Sequence, residues 1–303
     1  ARGGPKRREY AVSDLLTYLK DRQAEVEAAL EKYMPRRTEK PETLHEAMRY
    51  SLFAGGKRLR PILCLMTAEL FKAPSSVAMP AACALEMVHT YSLIHDDLPA
   101  MDNDDYRRGK LTCHKAFGEA MGILAGDALL TLAFEVVASG GPVPAVRDLV
   151  VILAEAAGSV GMVGGQVLDL EGEGQTPDLA RVEDIHKRKT GALLCAAVEM
   201  GSVAAGASIA DRARVADFGR KIGLAFQIKD DILDIEAPKD KLGKSVGKDQ
   251  AVGKLTYPAV LGIDKAREVM NETIAGAKAL LAPDGPRAAR LCELADYFIS
   301  RDH

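Results

Sequence analysis

The sequence predicts an all-α protein, and three observations carry that expectation. Helix-favouring Ala, Leu and Glu are abundant, and alternating β-branched runs are scarce. Aromatic residues make up only 5% of the chain and Trp is absent. Two segments, Val77–Leu98 and Leu193–Ala205, are apolar on nearly every side, which places them inside a large bundle rather than on its surface.

The elements follow in order. Val12–Tyr33 shows helical periodicity in Leu15, Leu16, Leu19, Val26 and Leu30. Leu44–Ala54 stops at Gly55-Gly56, a C-cap signal. Further helices are expected over Pro61–Phe71, Val77–Leu98, Ala120–Ala138, Val143–Val160, Ala192–Ala205, Ile209–Ile235, Tyr257–Leu281 and Arg287–Ile299. Pro and Gly clusters such as SGGPVP and EGEGQTPD part them. No linker is long or low in complexity, so residues 10–303 read as one domain, and the basic residues 1–9 read as a disordered leader.

Composition narrows the function. With 48% hydrophobic and 27% charged residues, the 303-residue chain can bury a sizeable core. A net charge of −3 leaves no nucleic-acid footprint. The five cysteines are scattered, odd in number and without metal-ligand spacing, which suggests a reducing, cytoplasmic setting. No uncharged apolar stretch reads as long enough to span a membrane, and no signal-peptide pattern opens the chain.

The chemistry concentrates where apolar helices end. SLIHDDLPAMDNDDYRRGK carries Asp96, Asp97 and Asp102 as D-D-x-x-x-x-D, and Pro99 should loosen the helix and return Asp102 toward Asp96. FQIKDDILDIE repeats the device, with Asp230 and Asp234 on one helical face and Asp231 beside them. One such run reads as a solvated helix end. Two, each following a buried-type helix, point to a divalent cation, and hard carboxylate oxygens suit Mg²⁺ bound with water and phosphates. Neither loop has the Gly-centred form of a Ca²⁺-binding EF-hand. Lys57, Arg58 and Arg60 in GGKRLRP, Arg107 and Arg108, the HKRKTG run, and Lys244, Lys248 and Lys254 supply cations for a diphosphate ester. There is neither a Walker motif nor a G-x-G-x-x-G after a strand.

Together and in this order, GGKRLRP, HTYSLIHDDLPAMDNDDYRRGK, HKRKTG, FQIKDDILD and LGKSVGKDQAVGKLTYP closely resemble the trans-isoprenyl diphosphate synthases, in particular the bacterial-type farnesyl diphosphate synthases. The resemblance runs from about Tyr10 to the C-terminal YFISRDH. It implies a helical bundle around a large central cavity, commonly a homodimer. It also implies that Asp96, Asp97, Asp102, Asp230, Asp231 and Asp234 hold Mg²⁺, about three ions per site, with Mn²⁺ as a substitute. Lys57, Arg60, His89 and Arg108 match positions that bind the diphosphate of isopentenyl diphosphate. Arg107, Lys189, Thr190, Gln227, Lys244 and Lys254 match positions around the allylic diphosphate. The implied reaction is ionisation of the allylic ester, alkylation of isopentenyl diphosphate, and proton loss.

Tyr91 lies five residues before Asp96, an axial offset of roughly 7.5 Å at helical rise, where an aromatic in this family acts as a floor for the growing chain. That favours a farnesyl product over a geranylgeranyl one, the competing view being that Tyr91 only packs in the core. Other readings are a terpene cyclase, a non-catalytic regulatory subunit and a metal-dependent phosphohydrolase. An all-aspartate second motif and a second cationic site argue against the cyclase, two intact acidic clusters against the silent subunit, and the lack of further His ligands at a recognisable spacing from IHDD against the phosphohydrolase. His95 has no assignment, and His186 reads as readily as a surface residue.

Overall fold

In the computed structural model of the chain, residues 5–176, 178–236 and 255–300 are described, with side chains from Asp14 onward. The helices are α1 (Pro5–Tyr33), α2 (Glu42–Leu52), α3 (Leu59–Leu70), α4 (Ser75–Asp96), α5 (Cys113–Phe117), α6 (Glu119–Gly140), α7 (Val146–Ala157) and α8 (Met162–Gly172). There follow α9 (Leu179–His186), a π-helical turn (Lys187–Gly191), α10 (Ala192–Ala204), α11 (Ile209–Glu236), α12 (Tyr257–Leu261) and α13 (Ile263–Leu280). A 3₁₀ segment (Ala282–Ala288) and α14 (Ala289–Ser300) end the described chain. Among the described residues the only sheet is an antiparallel hairpin, β1 (Tyr106–Arg107) with β2 (Lys110–Leu111), so the all-α expectation holds.

The helix expected to be central is central. α10 buries Leu193, Leu194, Ala196, Ala197, Val198, Met200 and Val203 and packs against α3, α4, α7 and α11. Its small side chains let neighbouring backbones approach, while α4 buries Leu85, Met87, Val88, Tyr91 and Ile94 against the same core. The acidic runs end α4 and α11, and α11 likewise buries Val215, Phe218, Ile222, Ile228 and Ile232, so both leave the core from anchored helices.

Several expectations need correction. α8 and α9 were not among the expected helices, and α8 contains Gly164 and Gly165, which lower local helix propensity. Tertiary packing overrides that propensity. The helix expected over Tyr257–Leu281 is two, parted at Gly262, whose φ of +78° no continuous helix allows. α1 begins at Pro5, so it overlaps the expected leader; proline at a first helical position followed by Lys, Arg and Glu favours that start. Residues 1–4 lie outside the described residues.

The expectation that no uncharged apolar stretch reaches the length of a membrane span holds, since Glu86 and Asp127 interrupt the two helices that come nearest to one. Those helices, Ser75–Asp96 and Glu119–Gly140, are long and apolar enough by length and overall composition alone. The apolar window of the first is 78% buried, as a core helix must be, whereas that of the second is only 39% buried.

Candidate active site

The first acidic end is built by α4 and the turn after it. Pro99 ends the helix as expected, and the Asp102 amide donates to the Asp96 carbonyl at 2.8 Å. The Asp104 amide donates to the Asp97 carbonyl at 3.2 Å, with Asn103 at a φ of +51° turning the chain. Asp97 itself is closed off. It is 3% exposed, and Arg107 on β1 donates Nε–H to both of its oxygens at 2.8 and 2.9 Å and Nη2–H to Oδ1 at 2.5 Å. A fork-on-carboxylate bond of this kind is the strong form of the pair. Two expected roles, Asp97 as metal ligand and Arg107 as diphosphate binder, are thus taken up by each other in this structure.

A cationic pocket faces this end. Gly55 and Gly56 turn at φ values of +98° and +126°, and Arg108 donates to the Gly55 carbonyl. Its guanidinium carbon lies 2.7 Å from where a Gly56 Cβ would be, so any side chain there would displace it. Arg60, in the first turn of α3, buries an Nε–H that meets no acceptor and lies in the fields of Glu86, Asp230 and Arg108. A desolvated guanidinium N–H without an acceptor is costly unless an anion arrives. Arg58 differs from its neighbours: it is 2% exposed and spends itself on Glu86 at 2.8 Å and the Leu52 carbonyl at 2.6 Å. Lys57 is exposed at the mouth.

His89 lies among these cations. Burial first, then Arg60, Arg108, Arg107 and Arg58, push its imidazole well below the usual histidine range, so it is neutral in the folded protein. Its folded pKa is depressed, so the unfolded chain takes up a proton that the folded one refuses. Stability is lost as pH falls below about 6.5. The thermal midpoint of the wild type should therefore drop more between pH 7 and 5.5 than that of His89→Gln, by calorimetry. Parallel curves would remove His89 from this role.

The second acidic end comes from α11. Asp230 and Asp234 are half-buried, and Asp231 is buried. Asp231 Oδ2 lies 2.8 Å from His186 Nε2 and accepts the Tyr257 amide at 2.9 Å. One helix ties the two ends together. On α8, Gln166 donates to Asp96 Oδ1, and Asp169, one turn on, accepts Lys189 Nζ at 2.6 Å. Lys189 stands in the π turn that His186 immediately precedes. The chain of contacts therefore runs Asp96–Gln166, Asp169–Lys189, His186–Asp231. π turns in helices recur at functional sites. Here the turn holds Lys189 on Asp169 of α8, while His186 just before it reaches Asp231 of the second acidic end.

Sequence reading missed Gln166 and Asp169 and left His186 open against a surface role. The signal for the first two was Q-x-x-D, an i, i+3 pair on one helical face directly after a glycine pair. Thr190 and Gln227 are half-buried on the π turn and α11. Lys244 and Lys254, with Lys248, lie outside the described residues. Tyr91 is 5% exposed, within the core, its ring edge-on to His95 at 5.7 Å.

Among the described residues no three carboxylate, imidazole or thiolate groups converge to hold a metal unaided. The donor set still fits Mg²⁺. Asp96, Asp102, Asp230 and Asp234 offer hard oxygens, and Mg²⁺ commonly draws most of its shell from water and phosphate. A cavity of about 580 Å³ lies behind the π turn, bounded by α7, α10, α11 and α13, and none of the six aspartates lines it.

Comparison with known proteins bears on the family and the fold. Residues 41–280 match the polyprenyl synthetase family. The chain is 53% identical to a dimethylallyltranstransferase of Fischerella ambigua (strain UTEX 1903), over 97% of this chain and 85% of that one. It is 49% identical to a farnesyl diphosphate synthase of Geobacillus stearothermophilus, over 94% of this chain and 97% of that one. Geranylgeranyl diphosphate synthases stand among the relatives at similar identity. An FPP/GFPP synthase from Zymomonas mobilis, solved in its apo form, superposes with a TM-score of 0.86 at 37% identity, over 95% and 99% of the two chains. The motifs, the all-α bundle and these matches converge: the chain belongs to the polyprenyl synthetase family and is a prenyltransferase.

Proposed function

We propose that the protein condenses isopentenyl diphosphate with dimethylallyl and geranyl diphosphates, head to tail, and releases farnesyl diphosphate. The observation that carries this reading is the pair of acidic helix ends joined through α8 and the π turn, with Arg60 in the field of Asp230 and Lys189 held on α8. A protein that binds one diphosphate needs one set of cations. Here Arg60, Arg108, Lys57 and His89 form one, and Lys189 and Thr190 belong to the other.

Arg60, whose buried Nε–H lacks an acceptor, and neutral His89 receive the diphosphate of the isopentenyl substrate. Lys189, Thr190 and Gln227 lie along the allylic diphosphate, and Arg107 joins them when it leaves Asp97. Mg²⁺, or Mn²⁺ in its place, would be held by Asp96, Asp102, Asp230 and Asp234, with Asp97 and Asp231 completing the two rims, and when bound supplies Lewis-acid neutralisation of the departing diphosphate. Lys189, and Arg107 once released from Asp97, stabilise the same charge, which favours breaking the allylic C–O bond. The apolar flanks of α4 and α10 exclude water from the carbocation. The alkylated intermediate loses its proton to the released diphosphate. No nucleophilic side chain is needed.

The same reading makes the protein a cytoplasmic homodimer. α6 supports the dimer, since it leaves Ile123 and Leu124 46% and 52% exposed on an otherwise apolar helix.

The test is incubation of the purified chain with Mg²⁺, isopentenyl diphosphate and labelled dimethylallyl or geranyl diphosphate, with chromatography of the dephosphorylated prenols. Farnesol is expected, and Asp230→Asn should slow its formation about 10²–10³-fold. Cyclised hydrocarbon, phosphate release alone, or no turnover would overturn the assignment.

A further inference from the structure

We propose that His186 is a positioning residue of the acidic site. With the Tyr257 amide it immobilises one oxygen of Asp231 and so presents the other to the cation. The inference rests on the metal-binding reading above and adds a residue to it.

His186 Nε2 and the Tyr257 amide meet the same oxygen, Asp231 Oδ2, at 2.8 and 2.9 Å. His186 and Asp231 are 5% and 7% exposed, so water cannot substitute freely for either donor. An ionised carboxylate accepts only, so His186 Nε2 carries the hydrogen in this bond. The ring is itself held. It stacks on the Tyr257 ring, with centroids 5.6 Å apart and an interplanar angle of 28°, and the Tyr257 hydroxyl donates to Glu183 at 3.0 Å. Three separate segments, the end of α9, the last turns of α11 and the start of α12, therefore converge on a single carboxylate oxygen.

A carboxylate that only needed burying would be satisfied by two donors shared between its oxygens. Placing both on Oδ2 fixes the plane of the group and leaves Oδ1 oriented. Partners behind a metal-binding carboxylate act in this way, and losing one typically costs 10–100-fold in metal affinity. His186 also immediately precedes the π turn, so the bond sets the position of Lys189 relative to α11.

The test compares His186→Leu, which keeps bulk and loses the donor, with His186→Gln, whose amide reaches about as far as Nε2. For the full chain with inorganic pyrophosphate present, Mn²⁺ binding is read by electron paramagnetic resonance. Thermal midpoints and the Mg²⁺ dependence of prenyl transfer are measured alongside. Leu should weaken Mn²⁺ binding about 10–100-fold and raise the Mg²⁺ needed for half-maximal rate, with Gln restoring most of both. Two results would overturn the assignment: Leu binding Mn²⁺ as the wild type does despite a lowered midpoint, or Gln failing as completely as Leu. If the wild type itself binds no Mn²⁺ with pyrophosphate, the metal-binding reading fails, and the proposal with it.

Discussion

Gly165→Ala is expected to lower prenyl transfer at least about 10²-fold while the chain still folds, because a single methyl drives α8 away from the π turn. A Cβ at Gly165 would lie 2.2 Å from the Lys189 amide nitrogen, 2.6 Å from the Lys189 Cα and 2.8 Å from the Arg188 carbonyl carbon. All three are backbone atoms, so no rotamer change relieves the contact; one element must move. Overpacking of this sort costs about 1–3 kcal/mol, which lowers the thermal midpoint without abolishing the fold. The larger consequence is for the site. Gln166 and Asp169 follow Gly165 on the same helix, and they hold Asp96 and Lys189 respectively. Displacing α8 by an ångström loosens both acidic-end contacts at once, and misplacement on that scale is enough for the expected loss. Turnover of isopentenyl and geranyl diphosphates, normalised to the folded fraction from calorimetry, checks it. Near-wild-type turnover would mean that α8 does not set the geometry between Asp96 and Lys189.

The same interface explains what the sequence could and could not disclose. The buried character of α4 and α10 was legible because a helix apolar on all sides has only one stable location. The return of Asp102 toward Asp96 was legible because Pro99 restricts the residue before it. By contrast, α8 carries Gly164 and Gly165, which local propensity counts against a helix. The packing of Gly165 against Lys189 that rewards them connects residues 24 positions apart. His186 was illegible for a related reason. Its partners, Asp231 and Tyr257, are 45 and 71 positions away, and nothing in HKRKTG says which face of the turn it occupies.

The arginines show where pattern stops and geometry begins. Read as a string, GGKRLRP offers three equivalent cations. Folded, Arg58 turns into the core and donates to Glu86 and the Leu52 carbonyl, whereas Arg60, two residues on, lies in the fields of Glu86, Asp230 and Arg108. Arg58 itself stands in the left-handed region at a φ of +51° just before α3, and that reversal sends its side chain and that of Arg60 to different environments. Spacing alone gives no access to that reversal. Likewise the run DDYRRGK does not announce that Arg107 folds back on Asp97 through the hairpin, which places both partners on one side of a tight turn.

Replacing Tyr91 with alanine is expected to lengthen the product from farnesyl toward geranylgeranyl diphosphate. Tyr91 is 5% exposed on α4, upstream of Asp96 by a little more than one turn, where a prenyl tail extending from the acidic end would arrive. Its ring is braced rather than loosely packed. It stands edge-on to His95, with centroids 5.7 Å apart and an interplanar angle of 80°, while His95 Nε2 lies 3.0 Å from the Ile123 carbonyl of α6. A ring so held cannot swing aside for a longer chain, whereas the space left by alanine can accept one. Truncating a buried aromatic costs about 3–5 kcal/mol, so the variant should be less stable as well. A loss of stability alone, however, would not change which prenol is made. Tyr91→Phe keeps the ring and should keep the farnesyl product; chromatography of the dephosphorylated prenols from both variants separates the two roles. An alanine variant that stops at the same chain length as the wild type would leave Tyr91 as core packing and nothing more.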